Sequence, residues 1–476
     1  MLWVLLCLLI VFLAVLAVRT AAFKPKPLPP VTVSDEAVDA DQVTANMQAM
    51  IRCKTVSFRD KSKEDDGEFE RLIDTLPKLF PHVAAGCDFT RVGPRSLLYH
   101  WHGRQSDRPT VLMAHFDVVP VNQNDWSKPA FDAVLEDGVI WGRGTLDTKG
   151  TLLGVMEAAD ALLAEGYVPE NDLLLAFAGD EEIAGDGAQM ILRHLQDRGI
   201  APYMVLDEGG AVVDKVFPGV DVPCAVVGTA EKGQSDFRLT VKSRGGHAST
   251  PPALSSIGRL GRAITNIEKH PFPFRLTAPA AQMFDTLARY SSLPYRVIFA
   301  NLWCFRPLLD LICRKGGGEL NALVRTTVAL TQMQGSAAPN VMPPEAWVGA
   351  NLRLMAGDSM QDAVAYLQKV VGDPEVKVEA LWGMEASRIS RTDDEPWQRL
   401  SQAIRSTWTD ALVSPYMMVA CSDSRHYSPV CDHVYRFSAM ALSKEERAMI
   451  HGNDERVPVA TLVRTVQFYR RLIKSC

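Results

Sequence analysis

The sequence predicts an α/β fold: a mixed, mostly parallel sheet flanked by helices, with a smaller α+β domain inserted into it. Two observations carry that reading. Apolar runs ending in polar clusters, Thr110 to His115, Leu173 to Ala178 and Met204 to Leu206, read as buried strands, and Gly150 to Glu165 between them has helical spacing of Leu, Val and Ala. From about Glu231 the pattern changes, with Asp236 to Ser243 alternating like a half-solvated strand, a helix near Leu254 to Lys269, and alternation again at Trp347 to Leu354. Strand and helix patterns resume after Trp397. The body is therefore expected over 35–230 and 386–476, and the insertion over 231–385.

In chain order, the first element is Leu2 to Val18, which carries no charge and is followed by Arg19, Lys24 and Lys26. At roughly 1.5 Å per residue it reaches the lower limit for crossing a bilayer, and it equally fits a signal peptide ending near Ala21 and Ala22. Residues 1–22 are an anchor or a signal, and either places the body outside the cytosol, in an extracellular, vacuolar or lysosomal, or periplasmic space. The run Pro25-Lys-Pro-Leu-Pro-Pro30, within 23–34, reads as a stiff stalk. A helix over Asp35 to Met50 opens the body.

Over 476 residues, 47% hydrophobic and 22% charged content is ordinary for globular domains and excludes a disordered, collagenous or small disulfide-stapled chain. A net charge of -6 supplies no general basic surface, so nucleic acid is not an expected partner. The nine cysteines form no Cys-x-x-Cys pair, which excludes a zinc ribbon or thioredoxin motif and leaves any pairing open. No Asn-x-Ser/Thr sequon occurs, which favours a membrane-anchored or bacterial-type exported chain.

The candidate chemistry lies at strand ends. The strand Val111-Leu-Met-Ala runs into His115-Phe-Asp117, an imidazole and a carboxylate two residues apart and so on one side of an extended chain. Further carboxylates follow at Asp147, at Asp180-Glu181-Glu182 and at Asp207-Glu208, with His451 near the C-terminus. Singly, each fragment is ordinary: Asp-Glu-Glu in a loop is usually a solvated charge run. Together, imidazole and carboxylate without thiolate suit zinc, cobalt or manganese, and one carboxylate shared between two ions leaves each with open coordination. Such a pair can activate water and polarise a carbonyl.

The motifs Met113-Ala-His-Phe-Asp-Val-Val-Pro-Val121, Trp141-Gly-Arg-Gly-Thr-Leu-Asp147, Asp180-Glu-Glu182, Leu206-Asp-Glu-Gly-Gly210, Gly245-Gly-His-Ala-Ser249 and His451-Gly-Asn-Asp-Glu-Arg456 occur in one order. This set resembles the carboxypeptidase S branch of the aminoacylase and carboxypeptidase metallohydrolase family, from Val43 to the end of the chain. The resemblance implies two zinc ions, one on His115, Asp147 and Glu208, the other on Asp147, Glu182 and His451. It implies that Asp117 orients His115 and that Glu181 is the general base. Only the resemblance selects Glu208 over Asp207, since strand alternation lets just one face inward. The insertion becomes a lid and dimerisation domain, with His247 an oxyanion donor often supplied across a homodimer, and Asn340 and Arg353 gripping the substrate carbonyl and its free carboxylate. Read alone, His247 is a loop histidine and Arg353 a surface strand arginine.

Three positions depart from the branch pattern: Thr148 where a second Asp is frequent, Gly179 where a His often precedes Asp-Glu-Glu, and Ala420-Cys421-Ser422-Asp423 where Gly-Gly-Thr-Asp is usual. None is a ligand position. Cys421 would fit poorly if its backbone needed positive φ, which bears on the loop carrying Asp423, Ser424 and Arg425.

Residues 292–313 are unusually apolar for a lid. They read as a buried helix, or as a wall for a fatty acyl chain or a bilayer surface. The implied activity is metal-dependent hydrolysis of an amide next to a free carboxylate, in an N-acyl amino acid, with reversal toward synthesis when both products abound; the alternative is a carboxypeptidase acting on small peptides. Two readings from other classes are an inactive binding scaffold, which predicts no stoichiometric metal, and a two-metal phosphoester hydrolase, for which no glycine-rich phosphate loop is present.

Overall fold

The computed structural model describes residues 1–28, 30–216 and 219–476, so Pro29 of the Pro-rich stalk lies outside the described residues. Eight strands form the main sheet in the order Asp88–Gly93, Ser96–Trp101, Asn171–Ala178, Gln105–His115, Met204–Val213, Val434–Leu442, Cys224–Glu231 and Leu412–Met418. The four from Asn171–Ala178 to Val434–Leu442 run parallel, while the first two are antiparallel additions at one edge. The sheet is thus mixed with a parallel centre, as the run of buried apolar strands predicts.

Period-two alternation sorts these strands between two cores. Leu112 and Ala114 pack with the helices Ala40–Ile51, Lys149–Ala164 and Val459–Ile473 on one face, whereas Val111 and Met113 pack with Gly187–Asp197 on the other. The first body helix begins at Ala40 rather than near Asp35. Asp39 terminates it by accepting the Asp41 and Gln42 amides, which satisfies two donors that the helix cannot. All nine cysteines carry free thiols.

The helix Lys149–Ala164 is buried along most of its length and carries Glu157, bonded by the Asn46 amide at 2.7 Å. Burial pushes the Glu157 carboxyl up to about 7 from an ordinary 4.5, against the pull of that hydrogen bond. Between these two pH values the unfolded chain has released the proton and the folded chain keeps it, so this group's contribution to stability falls as pH rises through the window and is level above it. At roughly 1.4 kcal/mol per unit, discounted for partial exposure, Glu157→Gln is expected to flatten the pH dependence by on the order of 2 kcal/mol. Urea midpoints of both proteins across that window check this.

A second, four-stranded antiparallel sheet has the order Thr327–Gln334, Glu345–Leu354, Gly233–Lys242 and Lys377–Met384. The helices Ser256–Lys269 and Met360–Val371 cover it, burying Phe237, Leu239, Leu260, Leu352 and Leu367 in a core of their own. The stretch 231–385 is not one packing unit, however. Its helices Ala278–Ala288, Leu293–Ala300 and Leu302–Gly316 join the main core through Met283, Phe284, Phe299, Leu309 and Cys313. The expected single buried helix over 292–313 is therefore two helices. The edge strand Leu412–Met418 packs on Ala278–Ala288, and Leu293–Ala300 in turn packs on that helix, with the Phe284 and Phe299 rings 5.1 Å apart.

Candidate metal centre

In a parallel α/β sheet the functional groups gather where the strands end. His115 closes the strand Gln105–His115, Glu181 and Glu182 follow Asn171–Ala178, and Glu208 lies within Met204–Val213. Asp147 precedes the helix Lys149–Ala164, and His451 sits in the loop before Arg456–Pro458 with φ of 59°, a left-handed conformation that costs a non-glycine residue energy. These elements converge on Asp147. One of its oxygens lies 3.0 Å from His115 Nε2 and the other 3.0 Å from His451 Nε2. His451 Nε2 is also 3.0 Å from Glu182, and His115 Nε2 is 3.7 Å from Glu208 and 4.0 Å from Glu181. One carboxylate thus stands between two imidazoles, each with a further carboxylate at hand.

Asp117 is fully buried and holds this arrangement together. Its two oxygens accept the backbone N–H groups of Glu181 and Glu182 at 3.1 Å each and the Ser57 hydroxyl at 2.7 Å, and one lies 3.3 Å from His115 Nδ1. The side chain fixes both the imidazole and the acidic turn. Glu455 does the same for Asp147: buried against Arg143, it accepts the amides of Gly144, Leu146 and Asp147. Ser57 and Glu455 had no assigned role from sequence. Glu455 lies inside the His451 motif, but its partners are some 308 residues away, and no local pattern signals such a contact.

The charge balance favours a divalent cation. Among the described residues no lysine or arginine pairs with Asp147, Glu181, Glu182 or Glu208, and Glu182 Oε1 is buried without a hydrogen-bond partner. Burial pushes Glu181 and Glu208 well above the ordinary carboxyl range. The bonds from Asp147 and Glu182 push His451 up to about 10. Burial alone would raise Asp147, yet the two imidazoles outweigh it and hold that carboxyl below its ordinary range. Protons here balance a cluster rich in oxygen and nitrogen donors. The ligand atoms of His115, Asp147 and Glu182 lie within 4.8 Å of one another, the spacing of a metal site.

The neighbouring residues bear on several of the expected positions. The Asp207 carboxylate accepts the amides of Glu208 and Ser424, so it faces backbone while Glu208 faces His115. A cleft of about 560 Å³ opens over the cluster, lined by Glu181, Glu182, His451, Arg353, Asp423 and Arg425 among others. None of residues 292–313 lines it, so the acyl-wall reading of that stretch gains no support. Arg353 reaches Cys421 Sγ at 3.6 Å. Cys421 does not have positive φ, so its loop needs no glycine there. At Gly179 a Cβ would lie 2.4 Å from the Phe116 ring, which explains why no larger residue stands before Asp180.

His247 and Asn340 come together elsewhere. His247 pairs with Val341 across a two-residue ladder, its ring bonds Ser249 at 2.7 Å, and the Asn340 carbonyl accepts the Ala248 amide. Both are exposed and neither lines the cleft; Gly245 and Gly246, just before His247, are both at positive φ.

Fold and site define a metal-dependent hydrolase. Residues 111–475 match the group described as Peptidase family M20/M25/M40, and the chain belongs to this family. It is 34% identical to a probable carboxypeptidase S-like 2 of Dictyostelium discoideum, over 98% of this chain and 92% of that protein. It is also 34% identical to the N-fatty-acyl-amino acid synthase/hydrolase PM20D1 of Xenopus tropicalis, over 91% and 86%. The crystal structure of the M20 family metallo-carboxypeptidase Sso-CP2 from Sulfolobus solfataricus shares the fold, with a TM-score of 0.65 at 14% identity over 92% of this chain and 99% of that one. Family membership sets aside the scaffold and phosphoester readings.

Proposed function

We propose that this chain hydrolyses the amide bond between an acyl group and an amino acid bearing a free α-carboxylate, and forms that bond when fatty acid and amino acid are abundant. The position of Asp147 between two imidazoles carries the proposal. His115, Asp147 and Glu208 would hold one zinc ion and Asp147, Glu182 and His451 a second, with cobalt or manganese able to substitute. Two such cations polarise the substrate carbonyl and acidify water. Glu181, beside the ligands rather than among them, takes the proton from the attacking water and delivers it to the departing nitrogen. Arg353 on the cleft wall offers a planar fork to the free carboxylate. His247 and Asn340 belong to an outward edge, which suits donation to the carbonyl oxygen of a partner's substrate in a homodimer.

A carboxypeptidase acting on small peptides is the second reading, favoured by the identity to the carboxypeptidase S-like relative; the chemistry is the same. Purified chain assayed on N-acetyl, N-oleoyl and dipeptide substrates, before and after chelation, separates them. Chelation is expected to abolish turnover and zinc to restore it, with long-chain acyl amino acids preferred. Preference for dipeptides would support the carboxypeptidase instead, and undiminished turnover in the chelated protein would overturn both.

The N-terminal helix Leu2–Ala22 is long and apolar enough to cross a membrane. In this reading it anchors the chain with the body on the non-cytosolic side. Protease protection in sealed microsomes tests the side and sedimentation in detergent tests the dimer.

A further inference from the structure

The helix Leu302–Gly316 has two apolar faces. Leu309 and Cys313 are buried against the body, as expected. On the opposite side Trp303, Leu308, Leu311 and Ile312 are 57%, 41%, 48% and 41% exposed, and Leu293 of the preceding helix is 60% exposed. Steps of four run from Trp303 through the exposed Pro307 to Leu311 and from Leu308 to Ile312, two adjoining rows of one broad exposed stripe. A helix that packs on a soluble body normally turns charge to water on that side. Here the charges along the helix are tied down within the protein, Arg306 donating to the Phe274 carbonyl and Asp310 pairing with Arg314 and Arg325, and Lys315 follows at its end.

The neighbour of this stripe identifies its occupant. The N-terminal apolar helix lies against the same pair of helices and is tied to them by polar bonds. Asn301, fully buried, donates to the Thr20 hydroxyl at 3.2 Å and to the Val297 carbonyl at 2.9 Å, and Arg19 Nε donates to the Ala300 carbonyl at 3.1 Å. Beyond the helix, Arg289 donates to the Lys24 carbonyl and Lys26 pairs with Asp285. Loss of the helix would strip the buried Asn301 amide of a partner, a cost that favours keeping it. Deeper along it, the Phe12 ring meets the Trp303 ring edge-on at 5.9 Å. Phe12 precedes Arg19 by seven residues, about 10 Å at 1.5 Å per residue, within the nearer half of a hydrocarbon core about 30 Å thick.

We infer that the exposed face of Leu302–Gly316 lies in the lipid leaflet that the N-terminal helix enters, so that the body rests on the bilayer at two places. The inference builds on the reading of Leu2–Ala22 as a retained anchor and extends it to a second element, to which the bilayer is continuous through the Phe12–Trp303 contact. Trp303 sits among acyl chains, and Lys315 can extend its charged end toward headgroup phosphates.

The test uses the full chain in phosphatidylcholine vesicles whose acyl chains are brominated, a short-range quencher of tryptophan emission, beside unbrominated controls. Washing the vesicles in alkaline carbonate reports the anchor separately. Chain retained after washing, with the emission lost in Trp303→Phe quenched by more than half in the wild type, is the expected result. Leu311→Asp with Ile312→Asp should relieve that quenching while leaving turnover of a soluble short-chain substrate unchanged. Retained chain with unquenched Trp303 would overturn the inference and spare the anchor; this holds also if Leu311→Cys cross-links two copies, since a dimer then covers the stripe. Release by carbonate would overturn the anchor and the inference together.

Discussion

Replacing Glu181 with glutamine is expected to lower kcat for amide hydrolysis by about 10²- to 10⁴-fold, the range a positioned general base contributes, while metal content stays at the wild-type level. The two parts of this result separate the roles of adjacent residues. Glu182 lies 3.0 Å from His451 and is among the proposed ligands, whereas Glu181 comes no nearer than 4.0 Å to His115. Both backbone amides are fixed by Asp117, so an uncharged isostere at Glu181 changes proton transfer and leaves the turn in place. Metal analysis and steady-state kinetics on the same preparation check the outcome. Loss of metal along with activity would move Glu181 into the ligand set, and retained activity would remove it from the mechanism.

The second large effect is on stability. Arg436 and Glu231 are both fully buried and form an ion pair between neighbouring strands of the main sheet. Glu231 also accepts the Ser422 amide at 3.1 Å and thereby holds the loop leading to Asp423 in the cleft. The remaining Arg436 donors go to the Val434 carbonyl and the Ser428 hydroxyl. Glu231→Ala leaves a guanidinium buried without its counter-charge and is expected to cost about 3–5 kcal/mol. The double variant Glu231→Leu with Arg436→Met should regain much of this, because removing both charges removes the desolvation cost with them. Chemical denaturation of the three proteins decides the matter: a single variant within about 1 kcal/mol of wild type would show that water reaches the pair.

The parallel centre of the sheet was legible because buried strands such as Val111 to Ala114 are apolar at every position, a pattern short enough to exclude a helix. Of the residues that motifs carry, some meet in space, while His247 and Asn340 lie away from the cleft. Asp117, at the His115-x-Asp117 spacing, and the Glu181–Glu182 pair do meet in space. What stayed hidden has one physical source, contact between residues distant in the chain. Ser57 meets Asp117 across 60 residues and Glu455 meets the Asp147 loop across some 308. The apolar stretch 292–313 was ambiguous for a different reason. Composition cannot tell which side of a helix is covered, and here one side is covered by the body and the other is not.

The grip of Glu455 on the loop that presents Asp147 has a consequence for biosynthesis. Translation runs from the N-terminus, so His115, Asp117, Asp147, Glu182 and Glu208 are all made before the strand Val434–Leu442, which lies in the interior of the sheet, and before His451 and Glu455. A nascent chain therefore carries most of the site's carboxylates without the strand that aligns them or the glutamate that shapes their central loop. The cluster around Asp147 completes only when the last few dozen residues leave the ribosome, and a chain terminated ahead of His451 is expected to lack hydrolase activity.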